Sequence, residues 1–196
     1  FRDGWVDDPL YRAGFGLRRA LDRSLEQRVL EKADMVISAT ETIDRWFVDR
    51  YRHLISDKHT VIINGFDPAD FEQGFAADHK HGEAMRVVYT GALSGSRSGI
   101  PFLQALRAAL SSGDVPVGGI EVELCGYIGA DAQALARRIP GVSVHGMLPH
   151  REAVARMRSA NVLLLVGSQK SPDALTGKLY EYIAARRPIL ALTPDG

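Results

Sequence analysis

From residue 86 to residue 192 the chain alternates strand-like and helix-like segments joined by short links, and no other feature constrains its fold so tightly. Apolar runs at 86–89, 121–125, 142–144, 162–166 and 189–192 predict strands. Segments at 100–110, 130–138, 151–158 and 178–185 predict the helices between them. A helix that carries the chain back across a sheet sets the next strand parallel to the last. A parallel sheet is apolar on both faces and needs helices on each. The fold class is α/β.

The first half is sparser. Leu17, Leu21, Leu25 and Val29 recur four apart, which lines one face of a helix and leaves Arg, Asp and Glu to the other. That helix is expected to stop near Asp34, before a short buried strand at Met35-Val36-Ile37. Thr40-Glu41-Thr42 offers a cap for a second helix, whose apolar face carries Ile43, Trp46, Phe47 and Tyr51. Val61-Ile62-Ile63 predicts another strand, ended by the turn residues Asn64-Gly65. From 67 to 83 the chain is polar, holds Pro68 and Gly74, and keeps no period, as an interdomain connection would. His79 and His81 in that stretch have no third ligand in view, so solvated linker histidines are expected there and no metal site.

Composition narrows the function classes. Lys plus Arg and Asp plus Glu both total 24, so no global basic field exists to hold nucleic acid. Arg18, Arg19, Arg23 and Arg28 do crowd one segment, which reads as a solvated helix face or as a surface for lipid or acceptor. The one cysteine, Cys125, cannot close an internal disulfide and ends an apolar run, where it behaves as a small hydrophobe. A reducing, cytoplasmic compartment is the simpler expectation, with peripheral membrane contact left open. No apolar run approaches a bilayer span, and no signal-peptide pattern opens the chain. The sequence begins at Phe1 without Met and stops just after a strand-like segment, and it reads as an internal piece of a longer protein.

Ligands of open parallel sheets bind beyond the carboxyl ends of the strands. That rule selects four glycine-bearing loops: 91–99, 126–129, 146–150 and 167–177. Glycines such as Gly91, Gly126 and Gly177 let backbone N–H groups approach a ligand, and a following helix N-terminus favours negative charge. Arg97 and Lys178 add a cation to two of the loops, which suits a diphosphate, although glycines also end strands in any α/β fold. The first loop lacks Gly-x-Gly-x-x-Gly, and Gly177-Lys178 is followed by Leu179 rather than Ser or Thr, so dinucleotide and P-loop readings lose ground. No nucleophile elbow, Ser-His-Asp order or paired-Cys metal spacing is present. Two carboxylates, Asp173 and Glu181, flank the helix N-terminus at Gly177. A carboxylate there can accept both hydroxyls of a ribose, or it can be an exposed helix acid.

The run from Gly177-Lys178-Leu179-Tyr180-Glu181-Tyr182 through Arg187-Pro188-Ile189-Leu190-Ala191 resembles the donor-site segment of GT-B glycosyltransferases, specifically the retaining family 4 group. Tyr89-Thr90-Gly91 is similar to the strand and glycine turn that open the family's second domain. Residues 26–38 and 61–67 are similar to the end of its first, and Phe1-Arg2-Asp3-Gly4-Trp5 resembles a cleft-facing motif of one subgroup. The resemblance implies parts of two Rossmann-like domains with parallel sheets covered by helices. It divides the chain into an acceptor-side part at 1–70, a linker at 71–84 and a nucleotide-sugar donor domain at 85–196. It implies transfer of a sugar from a nucleotide-diphosphate sugar to a glycan, lipid or small-molecule acceptor, with retention, no cofactor and no essential metal. Glu181 would bind the ribose, Asp173 would approach the donor sugar, and Asp3 would face acceptor or donor sugar. This chain departs from the family at Asp173, where Glu is usual, and at Ala92, where Arg often follows the glycine; Lys178 is the candidate replacement cation. Those departures keep a non-catalytic nucleotide- or partner-binding module in play, and a sugar-nucleotide epimerase shares the architecture.

Overall fold

The computed structural model describes residues 5–6, 16–72, 84–168 and 177–193. Its contacts divide the chain into two compact units, the first ending at Asn64 and the second beginning at Gly65.

The first unit contains α1 (Gly16–Lys32), β1 (Val36–Ser38), α2 (Glu41–Ile55) and β2 (His59–Val61). The two strands pair in parallel, with Val36 opposite His59 and Ser38 opposite Val61. Thr40 starts α2 as expected: its backbone is extended and its hydroxyl accepts from Ile43 N at 3.2 Å. Leu30, Val36, Ile43, Phe47, Tyr51 and Ile55 form the core. At the other end of α1, the Lys58 ammonium donates to the carbonyls of Glu31 (3.0 Å) and Ala33 (2.8 Å), satisfying acceptors that a helix end leaves open.

Three expectations fail in this unit. The buried strand expected at Met35-Val36-Ile37 runs instead from Val36 to Ser38, and Met35 and Ile37 are exposed because only alternate side chains, Val36 and Ser38, face inward. The leucine ladder of α1 is not its inward face: Leu17, Leu21, Leu25 and Val29 are exposed, while Glu26 and Leu30 are buried. The reason is polar. The Glu26 carboxylate accepts from Val6 N at 3.1 Å and from the Tyr51 hydroxyl at 2.7 Å, so that face can enter the core with its charge hydrogen-bonded. Burial and the adjoining carboxylate together push the Tyr51 hydroxyl well above the usual tyrosine range. The last strand is also displaced. It ends at Val61, and Ile62 and Ile63 are exposed, because the partner strand β1 is only three residues long and offers one further bond, Ile62 N to Ser38 O.

The second unit opens with a single 3-10 turn, Pro68–Asp70. It continues through β3 (Met85–Thr90), α3 (Ile100–Ser112), β4 (Ile120–Cys125), α4 (Ala130–Ala136) and β5 (Val142–Gly146). It closes with α5 (His150–Ser159), β6 (Val162–Val166), α6 (Gly177–Ala185) and β7 (Ile189–Leu192). The five strands form one parallel sheet in the order β5-β4-β3-β6-β7. Successive residues of β3 serve opposite layers, as the pleat requires. Val87 and Tyr89 meet α3 and α4 through Leu103, Leu106, Ala132 and Ala136. Val88 meets α5 and α6 through Val154, Met157, Tyr182 and Ala185. Residues 65–72 pack with this unit: Phe71 lies against the second cluster, meets Phe66 edge-on at 5.8 Å, and Asp70 holds His150 at 2.7 Å. Cys125 is buried at the end of β4, and burial pushes its thiol up to about 11. No helix among the described residues is long and apolar enough to cross a membrane. His79 and His81 lie outside the described residues.

Candidate functional site

The sheet order reverses between β3 and β6. From β3 the chain winds outward through β4 to β5, crosses back, and winds the other way through β6 to β7. At such a switch point the loops leaving the two central strands diverge, and their carboxyl ends frame a crevice. Ser168, just past β6, donates its hydroxyl to that of Ser96, in the loop after β3, at 3.0 Å, so a direct contact spans the reversal.

Two of the predicted glycines shape one wall of this crevice. Gly91 N donates to Cys125 O at 2.8 Å and Gly126 N to Gly146 O at 2.6 Å, extending the ladder past the strand ends. Gly91 and Gly126 have φ of +139° and +125°, backbone that residues with a Cβ rarely adopt. A Cβ built on Gly126 would lie 2.0 Å from Gly91 O, so the two loops touch main chain to main chain. Beyond them the loops stay zipped: Leu93 N donates to Tyr127 O and Gly129 N to Leu93 O, both at 2.8 Å. Tyr89 supports the turn from below by donating its hydroxyl to Ala92 O at 2.9 Å. Burial raises that phenol above its usual range, and the nearby Arg97 guanidinium opposes the rise. Arg97 Nε is itself enclosed with no acceptor among the described residues. An enclosed cationic donor of this kind is suited to an anion.

The first turn of α6 lies at the same carboxyl end of the sheet. Gly177 opens the helix, Lys178 follows, and the Lys178 ammonium donates to Glu181 Oε2 at 2.6 Å. Both side chains remain partly exposed, so a ligand can reach the pair. Its first-turn N–H groups have no intrahelical partner and present partial positive charge beside the ammonium.

Tyr182 fixes α6 to the sheet. Its ring is fully buried, and its hydroxyl accepts from Thr90 N at 2.9 Å. The β3–β6 register runs only through Val87–Val162 and Val88–Leu163, so this phenol takes a main-chain donor that the sheet leaves open. Burial, with smaller contributions from its neighbours, leaves the phenol pushed up to about 12. Tyr182→Phe is expected to leave Thr90 N unsatisfied and to destabilise the unit by about 1–3 kcal/mol, read as a lowered urea midpoint.

Among the residues singled out by sequence, Gly91, Arg97 and Gly126 lie on the loops of β3 and β4, and Gly177, Lys178 and Glu181 lie on α6, all at the carboxyl end of one sheet. His150 of the third loop is engaged with Asp70. Asp173 and Asp3 lie outside the described residues. Sequence reasoning named Tyr89 and Tyr182 only as members of motifs and missed their contacts, and it gave Ser96 and Ser168 no role. The tyrosines carried a usable signal, since each sits among apolar residues of its strand or helix, where a buried hydroxyl needs a partner; the serine pair carried none.

No protein-family profile and no curated protein sequence matches the chain. Solved structures do. WaaG, a glycosyltransferase involved in lipopolysaccharide biosynthesis, superposes with a TM-score of 0.63 at 16% identity, over 92% of this chain and 51% of its own. The α,α-trehalose 6-phosphate synthase of Burkholderia multivorans gives 0.63 at 15% identity, over 89% and 48%. TarM of S. aureus, solved with UDP, gives 0.58 at 11% identity, over 87% and 32%. The chain thus spans about half the length of these proteins or less, and over that span it has their fold: the α/β, GT-B-type architecture of parallel sheets flanked by helices.

Proposed function

We propose that this chain supplies the nucleotide-sugar donor site of a glycosyltransferase that moves a sugar to a glycan, lipid or small-molecule acceptor. The reading rests on the switch point of the parallel sheet, with the Arg97 loop and the Lys178 turn of α6 at its carboxyl end, within a fold shared with solved glycosyltransferases. In this reading the diphosphate lies between the Gly91–Gly126 wall and the α6 N-terminus. Arg97, Lys178 and the helix N–H groups then stabilise the charge that develops as the sugar leaves. Glu181 exchanges its bond to Lys178 for the ribose hydroxyls. Loss of either cation should raise the barrier by about 2–4 kcal/mol, by analogy with a lost oxyanion donor. Retention of anomeric configuration, and chemistry without a metal, are the finer parts of the proposal; their support is the resemblance of the Gly177–Ala191 segment to retaining family 4 enzymes.

The test is incubation with UDP-, GDP-, ADP- and dTDP-sugars, following free nucleoside diphosphate by chromatography against Glu181→Ala and Lys178→Ala. Release from one donor that falls at least tenfold in both variants supports sugar transfer. Donor recovered as an epimer would replace it with epimerase chemistry, and donor bound but unchanged would favour a binding module.

A further inference from the structure

The ion pair at the start of α6 is set against the helix that carries it. The first turn holds Lys178 and no acid, although the open N–H groups of a helix start favour an anion and disfavour an ammonium. Lys178 also precedes its partner Glu181 by three residues, the less favourable order for an ion pair along a helix. The two nevertheless meet at 2.6 Å. Each thereby occupies the group that the other would offer to a ligand: the ammonium is neutralised, and one carboxylate oxygen is taken. The helix cannot slide to part them. Tyr182, the next residue, is fully buried, and its hydroxyl accepts from Thr90 N at 2.9 Å. Separation has to come from the two side chains themselves, which are 34 and 23% exposed and can turn toward solvent.

We propose that the Lys178–Glu181 pair is an interlock that makes the site select ligands carrying a ribose and a diphosphate together, and disfavours either half alone. The inference rests on the donor-site reading and extends it from where a nucleotide lies to which ligands the site retains. A nucleoside brings ribose hydroxyls but no anion. To reach Glu181 it must break a charge-assisted bond and leave Lys178 unpaired beside the positive helix end. Pyrophosphate brings charge but no hydroxyls, and in taking Lys178 it leaves the Glu181 carboxylate unpaired. A nucleoside diphosphate supplies both partners at once, so opening the pair strands neither group. The two halves of the ligand are therefore coupled, each making the other's partner available.

Titration by NMR chemical shift, which reaches weak affinities, tests it with UDP, GDP, ADP and dTDP, with their four nucleosides, and with pyrophosphate. In Lys178→Met the nucleoside should bind about two- to fivefold more tightly, the range that a partly exposed ion pair allows. Its diphosphate should bind about tenfold more weakly or worse, since it loses a charge-assisted bond. Glu181→Gln should act in the converse sense, tightening pyrophosphate by a similar factor while weakening the nucleoside diphosphate. Opposite signs for half and whole ligand mark an interlock, because a merely disturbed α6 would weaken every ligand alike. The neutral nucleoside decides most, as removing a distant charge leaves it indifferent. Nucleoside binding that Lys178→Met weakens or leaves unchanged, with the diphosphate still held by the parent, would overturn the interlock and leave the donor site standing. A parent that binds no nucleoside diphosphate would overturn both.

Discussion

Gly126→Ala is expected to destabilise the second unit by about 3–5 kcal/mol, enough to unfold a marginally stable domain. Two effects add. At φ +125° a side chain is strained wherever it points, at about 1–3 kcal/mol. The new Cβ would also sit 2.0 Å from Gly91 O and 2.8 Å from Gly91 C. Gly91 cannot retreat without giving up its bond to Cys125 O at 2.8 Å, so the junction of the β3 and β4 loops must open. Gly95→Ala is the control. It has φ of +60° and nothing within 4 Å of a built Cβ, and should lose only about 1–2 kcal/mol. Urea unfolding followed by far-UV circular dichroism measures both, and equal midpoints for the two variants would contradict the packing described at this junction.

Glu26→Ala should destabilise the first unit by about 2–4 kcal/mol. The substitution strands two buried donors, Val6 N and the Tyr51 hydroxyl, and removes side-chain volume beside Leu30. Glu26→Gln keeps an acceptor for one of them and should lose roughly half as much. The chain's two tryptophans, Trp5 and Trp46, both belong to this unit, so their fluorescence reports its unfolding selectively. A Glu26→Leu variant that proved more stable than the parent would show that the hydrogen bonds do not repay the burial of the charge.

The Glu26 result bears on what could be read from sequence. The α/β class was legible because apolar strand runs and helical runs alternate in order from Met85 to Leu192. The orientation of α1 was not. A four-apart leucine ladder normally marks the core side, and only the distant donors Val6 N and Tyr51 hydroxyl, 20 and 25 residues away, draw Glu26 inward instead. The strand expected at Val61-Ile62-Ile63 failed for a related reason: pairing length is set by the partner, and β1 is short. At the candidate site, Gly91, Arg97, Gly126, Lys178 and Glu181 are selected by the rule that ligands of parallel sheets bind beyond the carboxyl ends of the strands, and the structure places all five at that end. The contacts that hold them are tertiary. Thr90 N meeting Tyr182, 92 residues away, and Ser168 meeting Ser96, 72 residues away, follow from the sheet order and from nothing local.

The most direct test of the central claim is calorimetric titration of the protein with UDP, GDP, ADP and dTDP, repeated on Glu181→Ala and Lys178→Ala. The account predicts that one nucleoside diphosphate binds and that each substitution weakens it about ten- to a hundredfold, the loss expected for a charge-assisted hydrogen bond. Binding that neither substitution changes would contradict it, because the α6 first turn would then not be the place where the nucleotide is held.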